Sequence, residues 1–336
     1  MASVLVTGGA GYVGSVCCSE LLARGHEVVV VDDLSTGHAA AIPTGAVFHK
    51  ADIGDRRSIR ELLSEHHFDW MFHFAAKALI PESVSNPGSF FDSNVASGIA
   101  LLEEVRNANI TNFVFSSSAA VYGNPRSTAI EEEHPVNPVN AYGESKLILE
   151  RILRWYAEAY GWTVIAFRYF NASGATSSIG ENHRPETHII PLLLEVAAGE
   201  REYFEIFGSD YPTSDGTCVR DYVHVSDIAE AHLCALQARV RGMRVYNIGN
   251  GKGHSVREVC EAVEEIVGKQ LQTKQGPRRP GDPAVLCASA GRLARELNWY
   301  PRITDLRHII RTAWDWKVQR AKGNGATPEF SLQSRV

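Results

Sequence analysis

Short apolar runs alternate with segments of helical spacing along the first half of the chain. The run Ser3–Thr7 is followed by a helical apolar stripe over 12–24 and by a second apolar run over 27–31. The alternation continues with strands predicted near Val47 and over 70–74, 112–116 and 163–168, and with helices predicted over 59–66, 95–106 and 141–159. Continuous apolar strands separated by helices are typical of a parallel sheet covered on both faces. The pattern predicts an α/β protein with a doubly wound parallel sheet, the Rossmann fold.

The pattern changes after Asn171, where a polar segment over 173–188 is followed by shorter and less regular elements. A predicted helix over 225–238 and a predicted strand over 245–248 then return to the first pattern, so we expect the second lobe to be discontinuous. The predicted division is a dinucleotide-binding domain over 1–171 joined by parts of 215–250, and a smaller C-terminal substrate lobe over 172–320. Residues 321–336 carry no apolar period and are predicted to form a disordered tail.

Composition narrows the class of protein. The 336 residues are 44% hydrophobic and 21% charged, which excludes a disordered or fibrous chain. The net charge of -6, with no basic run, argues against nucleic acid or a membrane surface as partner. The six cysteines form no CxxC pair and no signal peptide precedes the first strand, so we expect the cytoplasm. The histidines form neither HExxH nor a Cys/His cluster, and no metal site is predicted.

The segment TGGAGYVG places Gly8, Gly11 and Gly14 directly after a strand and at the start of a helix. Glycines permit a tight turn there, and a pyrophosphate can then approach the free N–H groups of the helix. Asp32 ends the second strand, eighteen positions after Gly14. A carboxylate at this place accepts the ribose hydroxyls of adenosine and repels a 2′-phosphate. The pattern predicts NAD rather than NADP. Asp33, Asp52 and Asn94 are placed to line the adenine and ribose sites, or to serve as helix caps and turn residues.

Tyr142 and Lys146 in AYGESK are four residues apart at the start of a predicted helix, and they therefore share one face. An ammonium beside a phenol favours the phenolate, which can then exchange a proton with a sugar hydroxyl. The strand predicted over 112–116 runs into Ser116, Ser117 and Ser118, at the edge where the ligands of doubly wound sheets bind. Of these three residues, Ser118 is the one predicted to act. Its hydroxyl can pass a hydrogen bond between a substrate oxygen and Tyr142. Tyr142, Lys146 and Ser118 are the predicted catalytic group.

Seven motifs occur in order: TGGAGYVG, VDDLSTG, FSSSAAVYG, AYGESK, RYFNASGA, DGTCVRDYVHV and RRPGD. With them the chain resembles the extended short-chain dehydrogenase/reductase family, and within it the UDP-glucose 4-epimerases. The resemblance implies that Tyr142 is the acid/base, that Lys146 holds the nicotinamide ribose and that Ser118 supports the transfer. It further implies that the following residues surround NAD: Tyr12, Val13, Asp32, Asp33, Asp52, Ile53, Phe74, Ala75, Asn94 and Tyr169.

The same resemblance implies a UDP-hexose substrate and a homodimer. Its implied substrate contacts are Asn171, His188 and Ile189, Phe207 against the uracil, Arg220 and Arg279 on the diphosphate, and Asp282 on the uridine ribose. Both arginines suit a nucleotide diphosphate, which needs bidentate cations. In the family the residue four after this aspartate, here Leu286, faces the C2 substituent of the hexose. A lysine occurs near the cofactor in many relatives, but not at one fixed position, so no role is assigned to Lys77.

The function implied by the resemblance is NAD-dependent interconversion of UDP-galactose and UDP-glucose through a 4-keto sugar. Leucine at position 286 is intermediate in size, so we expect these sugars to be preferred over the N-acetyl pair. Related UDP-pentose, UDP-uronic acid or UDP-N-acetylhexosamine 4-epimerases are alternatives, since pocket shape sets sugar choice. A nucleotide-sugar 4,6-dehydratase needs an Asp-Glu pair after Ser118, where this chain has Ala119 and Ala120. A non-catalytic NAD-sensing protein has no need of the predicted catalytic group.

Overall fold

The computed structural model describes residues 1–279 and 282–323. The strands are β1 (Ser3–Thr7), β2 (Glu27–Asp32), β3 (Val47–Lys50), β4 (Trp70–His73), β5 (Asn112–Ser118), β6 (Thr163–Tyr169), β7 (Asn171–Ser173), β8 (Phe204–Phe207), β9 (Val219–His224), β10 (Gly242–Ile248), β11 (Gly253–Ser255), β12 (Thr273–Gly276) and β13 (Val285–Leu286). The helices are α1 (Tyr12–Ala23), α2 (Arg56–Glu65), α3 (Ile80–Ser85), α4 (Pro87–Phe90), α5 (Ser97–Asn107), α6 (Ala141–Tyr160), α7 (Ile189–Ala198), α8 (Val225–Ala235), α9 (Val256–Val267), α10 (Gly291–Leu297) and α11 (Leu306–Gly323).

Seven parallel strands form the main sheet in the order β10-β6-β5-β4-β1-β2-β3. Successive side chains of a strand point to opposite faces, and both faces of this sheet are apolar. Val4 and Val6 of β1 join a core cluster with α1 and α8 on one face, while Leu5 joins a cluster with α2, α5 and α6 on the other. The predicted doubly wound α/β fold is confirmed.

The elements outside the main sheet pack around a third apolar cluster formed by α7, α9 and α11. Two small sheets accompany them. In one, β9 pairs with β7, β11 and β13; in the other, β8 pairs with β12. Strand β10 returns to the edge of the main sheet beside β6, and α8 packs on α1. The chain therefore crosses between the two groups of elements more than once.

Most element boundaries lie within a few residues of the predicted ones, and the differences have local causes. The helix predicted over 95–106 begins earlier, as a π-helical turn over Phe91–Ala96 that leads into α5. Strand β5 continues to Ser118, because its register with β6 is kept up to the Ser118–Tyr169 pair. Helix α11 continues to Gly323, three residues past the start of the predicted tail. Residues 324–336 of that prediction lie outside the described residues.

Candidate active site

The glycine turn lies between β1 and α1, at the carboxyl edge of the main sheet. Gly8 has a φ of +74°, and a Cβ there would lie 2.5 Å from the backbone nitrogen of Ala75. A Cβ on Gly14 would lie 2.2 Å from the carbonyl oxygen of Gly8, and Gly11 is the N-cap of α1. Tyr12 and Val13 begin the helix, with their N–H groups among its free donors. Only glycine fits at positions 8 and 14, and the turn presents backbone donors to an anion.

Asp32 ends β2 beside this turn and is 8% exposed. Its two carboxylate oxygens accept the N–H groups of Ala10 at 3.0 Å and of Leu34 at 2.9 Å. Burial raises the pKa of Asp32, and these two hydrogen bonds oppose the rise. Each carboxylate oxygen has further lone pairs, so the group can still accept hydroxyl donors from a ribose. The fixed orientation fits the role predicted for it.

The other predicted cofactor residues lie on the loops that follow β2, β3 and β4. Asp33 and Asp52 are exposed, and each accepts the N–H two residues ahead, from Ser35 and Gly54. Both carboxylates therefore stabilise the turns in which they lie, and their predicted contacts with the cofactor stay predictions. Ile53 is buried, and Phe74 and Ala75 follow β4, where both N–H groups donate to the carbonyl of Thr7.

Asn94 is 3% exposed and holds a neighbouring loop. Its Oδ1 accepts the N–H of Lys77, and its Nδ2 donates to the Lys77 carbonyl and to the Ser145 hydroxyl. The side chain of Lys77 points toward Glu82, with 3.9 Å between the charged atoms. Asn94 therefore fixes the segment after β4 against α6.

Tyr142 and Ser118 meet between the start of α6 and the end of β5. The side chain of Asn140 caps the helix by accepting the N–H of Gly143 at 2.8 Å, which places Tyr142 in the first turn. Burial raises the pKa of the Tyr142 phenol, and a hydrogen bond with Ser118 opposes that rise. The Ser118 hydroxyl also accepts the N–H of Ala120 at 3.1 Å, which caps the short helix Ala119–Tyr122. The predicted pair is therefore brought together.

Lys146 lies one turn along α6 and is 3% exposed. Its Nζ donates to the carbonyl of Ser116 at 2.7 Å and lies 5.9 Å from the centre of the Tyr142 ring. Burial lowers the pKa of Lys146 to about 7, and the nearby Glu150 opposes the shift. The ammonium is held beside the phenol by the strand that carries Ser118.

A buried polar network behind this group was missed from sequence. Glu150 of α6 accepts the hydroxyl of Ser117 at 2.5 Å and two bonds from Arg168 of β6, at 3.0 and 2.6 Å. Arg168 also donates to the Tyr122 hydroxyl, which donates to Asn247 of β10. The network ties α6 to three strands of the sheet, and it fixes the helix that carries Tyr142 and Lys146. Glu150 lies four residues after Lys146, but a lone glutamate on a helix gave no signal for this role.

Tyr169 ends β6, with its hydroxyl 2.7 Å from Nε2 of His232. Both residues are buried, and burial raises the pKa of Tyr169 well above its ordinary value and lowers the pKa of His232 to about 4. The Tyr169 hydroxyl is thus turned toward α8, and only the rest of its ring remains for the predicted cofactor contact.

The residues predicted to contact the substrate lie on β7, β8, β9 and the segment before β13. Arg220 of β9 forms an ion pair with Asp282, 62 positions later in the chain. The Arg279 guanidinium lies 4.0 Å from the centre of the Phe207 ring. Asn171 donates to the carbonyl of Asp221 at 2.9 Å. Two guanidinium groups and an aromatic ring are thus grouped on one side of the second lobe.

Leu286 is partly buried and packs against a cluster that includes Ala119, Tyr122 and Leu147. It pairs in register with Arg220 across β13 and β9. Leu286 therefore stands between the arginine side of the site and the residues next to Ser118 and Lys146.

His188 and Ile189 begin α7, and His188 belongs to a cluster that the sequence analysis did not anticipate. Glu181, His183, Glu186 and His188 place one ligand-type atom each within 4.8 Å of one another. Burial alone would lower the pKa of His188, but Glu181 and Glu186 raise it well above its ordinary value. Burial alone would raise the pKa of Glu181, but the two histidines lower it to about 2. We call these four residues the His–Glu cluster.

Across the described part of the chain, no helix combines the length and apolar character that crossing a membrane requires.

The model of the NAD dependent epimerase/dehydratase family matches residues 4–249. The UDP-glucose 4-epimerase of Lacticaseibacillus casei is 45% identical over 327 residues, which cover 96% of this chain and 99% of that protein. The enzyme of the same name from Corynebacterium glutamicum is 46% identical over 312 residues, or 93% and 94% of the two chains.

Solved structures agree with these sequence matches. The UDP-glucose 4-epimerase of Bifidobacterium longum, in complex with NAD+ and UDP, superposes with a TM-score of 0.91 at 35% identity and covers 96% of this chain and 99% of that one. The enzyme from Stenotrophomonas maltophila, with bound NAD and formylated UDP-arabinopyranose, gives a TM-score of 0.91 at 41% identity over 97% and 100% of the chains. The resemblance seen in the ordered motifs is confirmed, and the chain belongs to the NAD dependent epimerase/dehydratase family.

Proposed function

We propose that this protein is a UDP-glucose 4-epimerase that interconverts UDP-galactose and UDP-glucose with bound NAD. The observation that carries the proposal is the grouping of Tyr142, Ser118 and Lys146 at the carboxyl edge of a parallel sheet, beside a turn in which Gly8 and Gly14 cannot be replaced without collision. Ligands of doubly wound sheets bind at this edge. The relatives at 45% and 46% identity carry the same activity in their names.

The residues present fit NAD. The glycine turn packs its backbone so closely at Gly8 and Gly14 that a side chain would collide there. This tight turn, the free N–H groups of Tyr12 and Val13 and the buried carboxylate of Asp32 suit a pyrophosphate followed by an adenosine ribose. When bound, NAD accepts the hydride from C4 of the sugar and returns it. Ile53, Phe74 and Ala75 are proposed to form the apolar walls of this site, with Asp33, Asp52 and Asn94 holding the loops around it.

Tyr142 is proposed as the acid/base. Its phenolate oxygen takes the proton of the C4 hydroxyl as the sugar is oxidised, and the resulting phenol returns the proton when the 4-keto sugar is reduced. Lys146 favours the phenolate through its charge, while Ser118 keeps the phenolic oxygen directed at the substrate. The proton therefore returns to the oxygen it came from, and the reaction is redox-neutral overall.

Inversion at C4 requires the 4-keto sugar to present its other face while the nucleotide stays bound. Arg220 and Arg279 are proposed to hold the diphosphate, with Phe207 against the uracil and Asp282 on the uridine ribose. A bidentate guanidinium suits a phosphate, and two of them can anchor UDP through the turn of the sugar. Asn171, His188 and Ile189 are proposed to line the same cleft. The Arg220–Asp282 pair would open or reorient to admit the diphosphate.

We propose UDP-galactose and UDP-glucose as preferred substrates, since Leu286 is packed against the residues beside Ser118 and leaves less room than a small residue would. An added N-acetyl group costs roughly 1–3 kcal/mol in a close-packed pocket that has not been opened. UDP-pentose, UDP-uronic acid and UDP-N-acetylhexosamine 4-epimerase activities are the alternative outcomes of the same assay.

We further propose a cytoplasmic homodimer. The six cysteines are free, which suits a reducing compartment. Trp155 of α6 is 69% exposed and Ile99 of α5 is 38% exposed, and large apolar side chains on neighbouring helices suit a subunit contact. Size-exclusion chromatography with light scattering tests the dimer. We propose the division into a dinucleotide domain over 1–171 with parts of 215–250 and a substrate lobe over 172–320.

The test of the function is conversion of UDP-galactose by purified, dialysed protein without added cofactor. Turnover to UDP-glucose is expected, and a deuterium placed at C4 is expected to remain at C4, because the same hydride returns. A strict need for added NAD, or loss of the label to free NADH, would contradict bound NAD. Formation of a 4-keto-6-deoxy product would instead indicate a dehydratase, for which Ala119 and Ala120 supply no acid/base pair.

A further inference from the structure

The His–Glu cluster lies outside the catalytic group, on the segment between β7 and α7. Oε1 of Glu181 is 3.1 Å from Nδ1 of His183 and 2.7 Å from Nδ1 of His188, and Oε1 of Glu186 is 3.1 Å from the same His188 nitrogen. Two imidazoles and two carboxylates thus converge on one point. From these contacts we propose that the His–Glu cluster binds one divalent transition-metal ion, with Zn²⁺ the best match.

The spacing fits such an ion. Four ligands held about 2.0–2.1 Å from a tetrahedral Zn²⁺ lie roughly 3.3 Å from one another. The three measured separations are 3.1, 2.7 and 3.1 Å, so these atoms would move apart by roughly 0.2–0.6 Å to hold the ion, and all four ligand atoms lie within 4.8 Å of one another. Imidazole and carboxylate together favour Zn²⁺ and its neighbours over Mg²⁺ or Ca²⁺, which prefer oxygen-only shells.

The charge also fits. The side chains of Glu181 and Glu186 are 7% and 5% exposed, so two carboxylates are largely withdrawn from water at one place. Oε1 of Glu186 accepts the N–H groups of Thr187 at 2.7 Å and of His188 at 2.8 Å. A divalent ion would add the positive charge that balances both carboxylates.

The cluster has a route of access and fixed surroundings. Glu181, His183 and Glu186 line a cavity of about 390 Å³. Arg184, Lys317 and Arg320 also line it. Lys317 pairs with Glu200 at 2.6 Å and the Arg320 guanidinium lies over the Trp316 ring, so these two cations are held by contacts elsewhere in the cavity wall.

An ion here would clamp the segment Glu181–His188 next to the start of α1. The hydroxyl of Tyr12 donates to the carbonyl of Gly174 at 2.6 Å. The ring of His183 stands edge-on to the Tyr12 ring, with 6.5 Å between the ring centres. Asn182 contacts His38 through its carbonyl oxygen, 2.8 Å from Nε2. His188 would use Nδ1 for the ion, which leaves Nε2 for the proposed substrate cleft. The role is structural, and it does not depend on the proposed activity.

The test uses the whole protein, stripped with a chelator and reloaded with Zn²⁺, then passed through a desalting column. We expect about one zinc per chain by elemental analysis and a higher Tm than the stripped protein. Glu181→Gln and His183→Gln are expected to lose at least nine-tenths of the zinc and the rise in Tm. The matched control is His254→Gln, which removes a histidine whose contact is a single carboxylate, Glu258 at 3.7 Å, and should retain both.

Co²⁺ gives a second readout that needs no variant. Stoichiometric Co²⁺ in the wild-type protein is expected to show the strong visible absorption bands of a four-coordinate nitrogen and oxygen site. Absence of these bands, less than a tenth of a zinc per chain in the wild-type protein, or equal zinc in the wild-type, Glu181→Gln and His183→Gln proteins would each overturn the proposal. A variant that fails to fold leaves the wild-type zinc and cobalt measurements to decide.

Discussion

Replacing Tyr142 by phenylalanine separates catalysis from folding, because the structure gives a different magnitude for each. The substitution removes one hydroxyl. Ser118, its hydrogen-bond partner, still accepts the N–H of Ala120 at 3.1 Å, so no buried acceptor is left alone. The loss in the free energy of unfolding is then that of one ordinary hydrogen bond, about 0.5–1.5 kcal/mol.

The expected effect on turnover is much larger. Positioned proton transfer contributes about 10²–10⁴-fold to the rate, which corresponds to about 2.7–5.4 kcal/mol of activation free energy. The glycine turn and Asp32 are unchanged, so bound nucleotide should be retained. We expect Tyr142→Phe to carry its NAD and to lose kcat by that factor.

The assay is kcat for UDP-galactose, beside urea unfolding and the nucleotide content of the same preparations. Tyr246→Phe is the matched control, since it removes a buried tyrosine's hydrogen bond to Glu296 at 2.8 Å, away from the proposed reaction. It should lose similar stability and keep its kcat. If Tyr142→Phe keeps more than about a tenth of wild-type kcat, or if the control loses as much, Tyr142 is not the acid/base.

Two further predictions concern Gly14 and Leu286. Gly14→Ala should purify without nucleotide, because its Cβ would lie 2.2 Å from the carbonyl oxygen of Gly8. The control Gly88→Ala has open space around the new Cβ and should retain the nucleotide. The ratio of absorbance at 260 and 280 nm measures the bound nucleotide in both variants, and nucleotide retained by Gly14→Ala would contradict the prediction. Leu286→Gly should raise kcat/KM for UDP-N-acetylgalactosamine relative to UDP-galactose about tenfold or more. An unchanged ratio, or equal use of both sugars by the wild-type protein, would show that Leu286 does not exclude the N-acetyl group.

Burial lowers the pKa of Lys146 from 10.5 to about 7. Between these two pH values the lysine is protonated in the unfolded chain and mostly neutral in the folded one. This lysine therefore makes the free energy of unfolding rise with pH over that range. Lys146→Met should show a smaller rise in Tm between about pH 7.5 and about 9.5 than the wild-type protein, and an equal rise would contradict the shift.

The sequence alone predicted the doubly wound sheet, the glycine turn, Asp32 and the Tyr142–Lys146 pair. Each depends on short-range pattern. The turn follows β1 and Asp32 ends β2 within one βαβ unit, and Tyr142 and Lys146 share a helix face because they are four residues apart. The end of β5 was also recognisable, since the carboxyl ends of parallel strands meet at one edge.

The tertiary structure decided the contacts between residues far apart in the chain. Arg220 meets Asp282 across 62 positions, and Leu286 comes to lie beside Ala119, because the chain crosses repeatedly between the sheet and the second lobe.

The His–Glu cluster is different, since its four residues lie within eight positions. It matches no helical metal motif because an irregular segment, with neither helix nor strand period, folds its side chains inward. Periodicity predicts which side chains share a face only where the backbone repeats, and in this loop only the packing against α1 and α7 determines where they point.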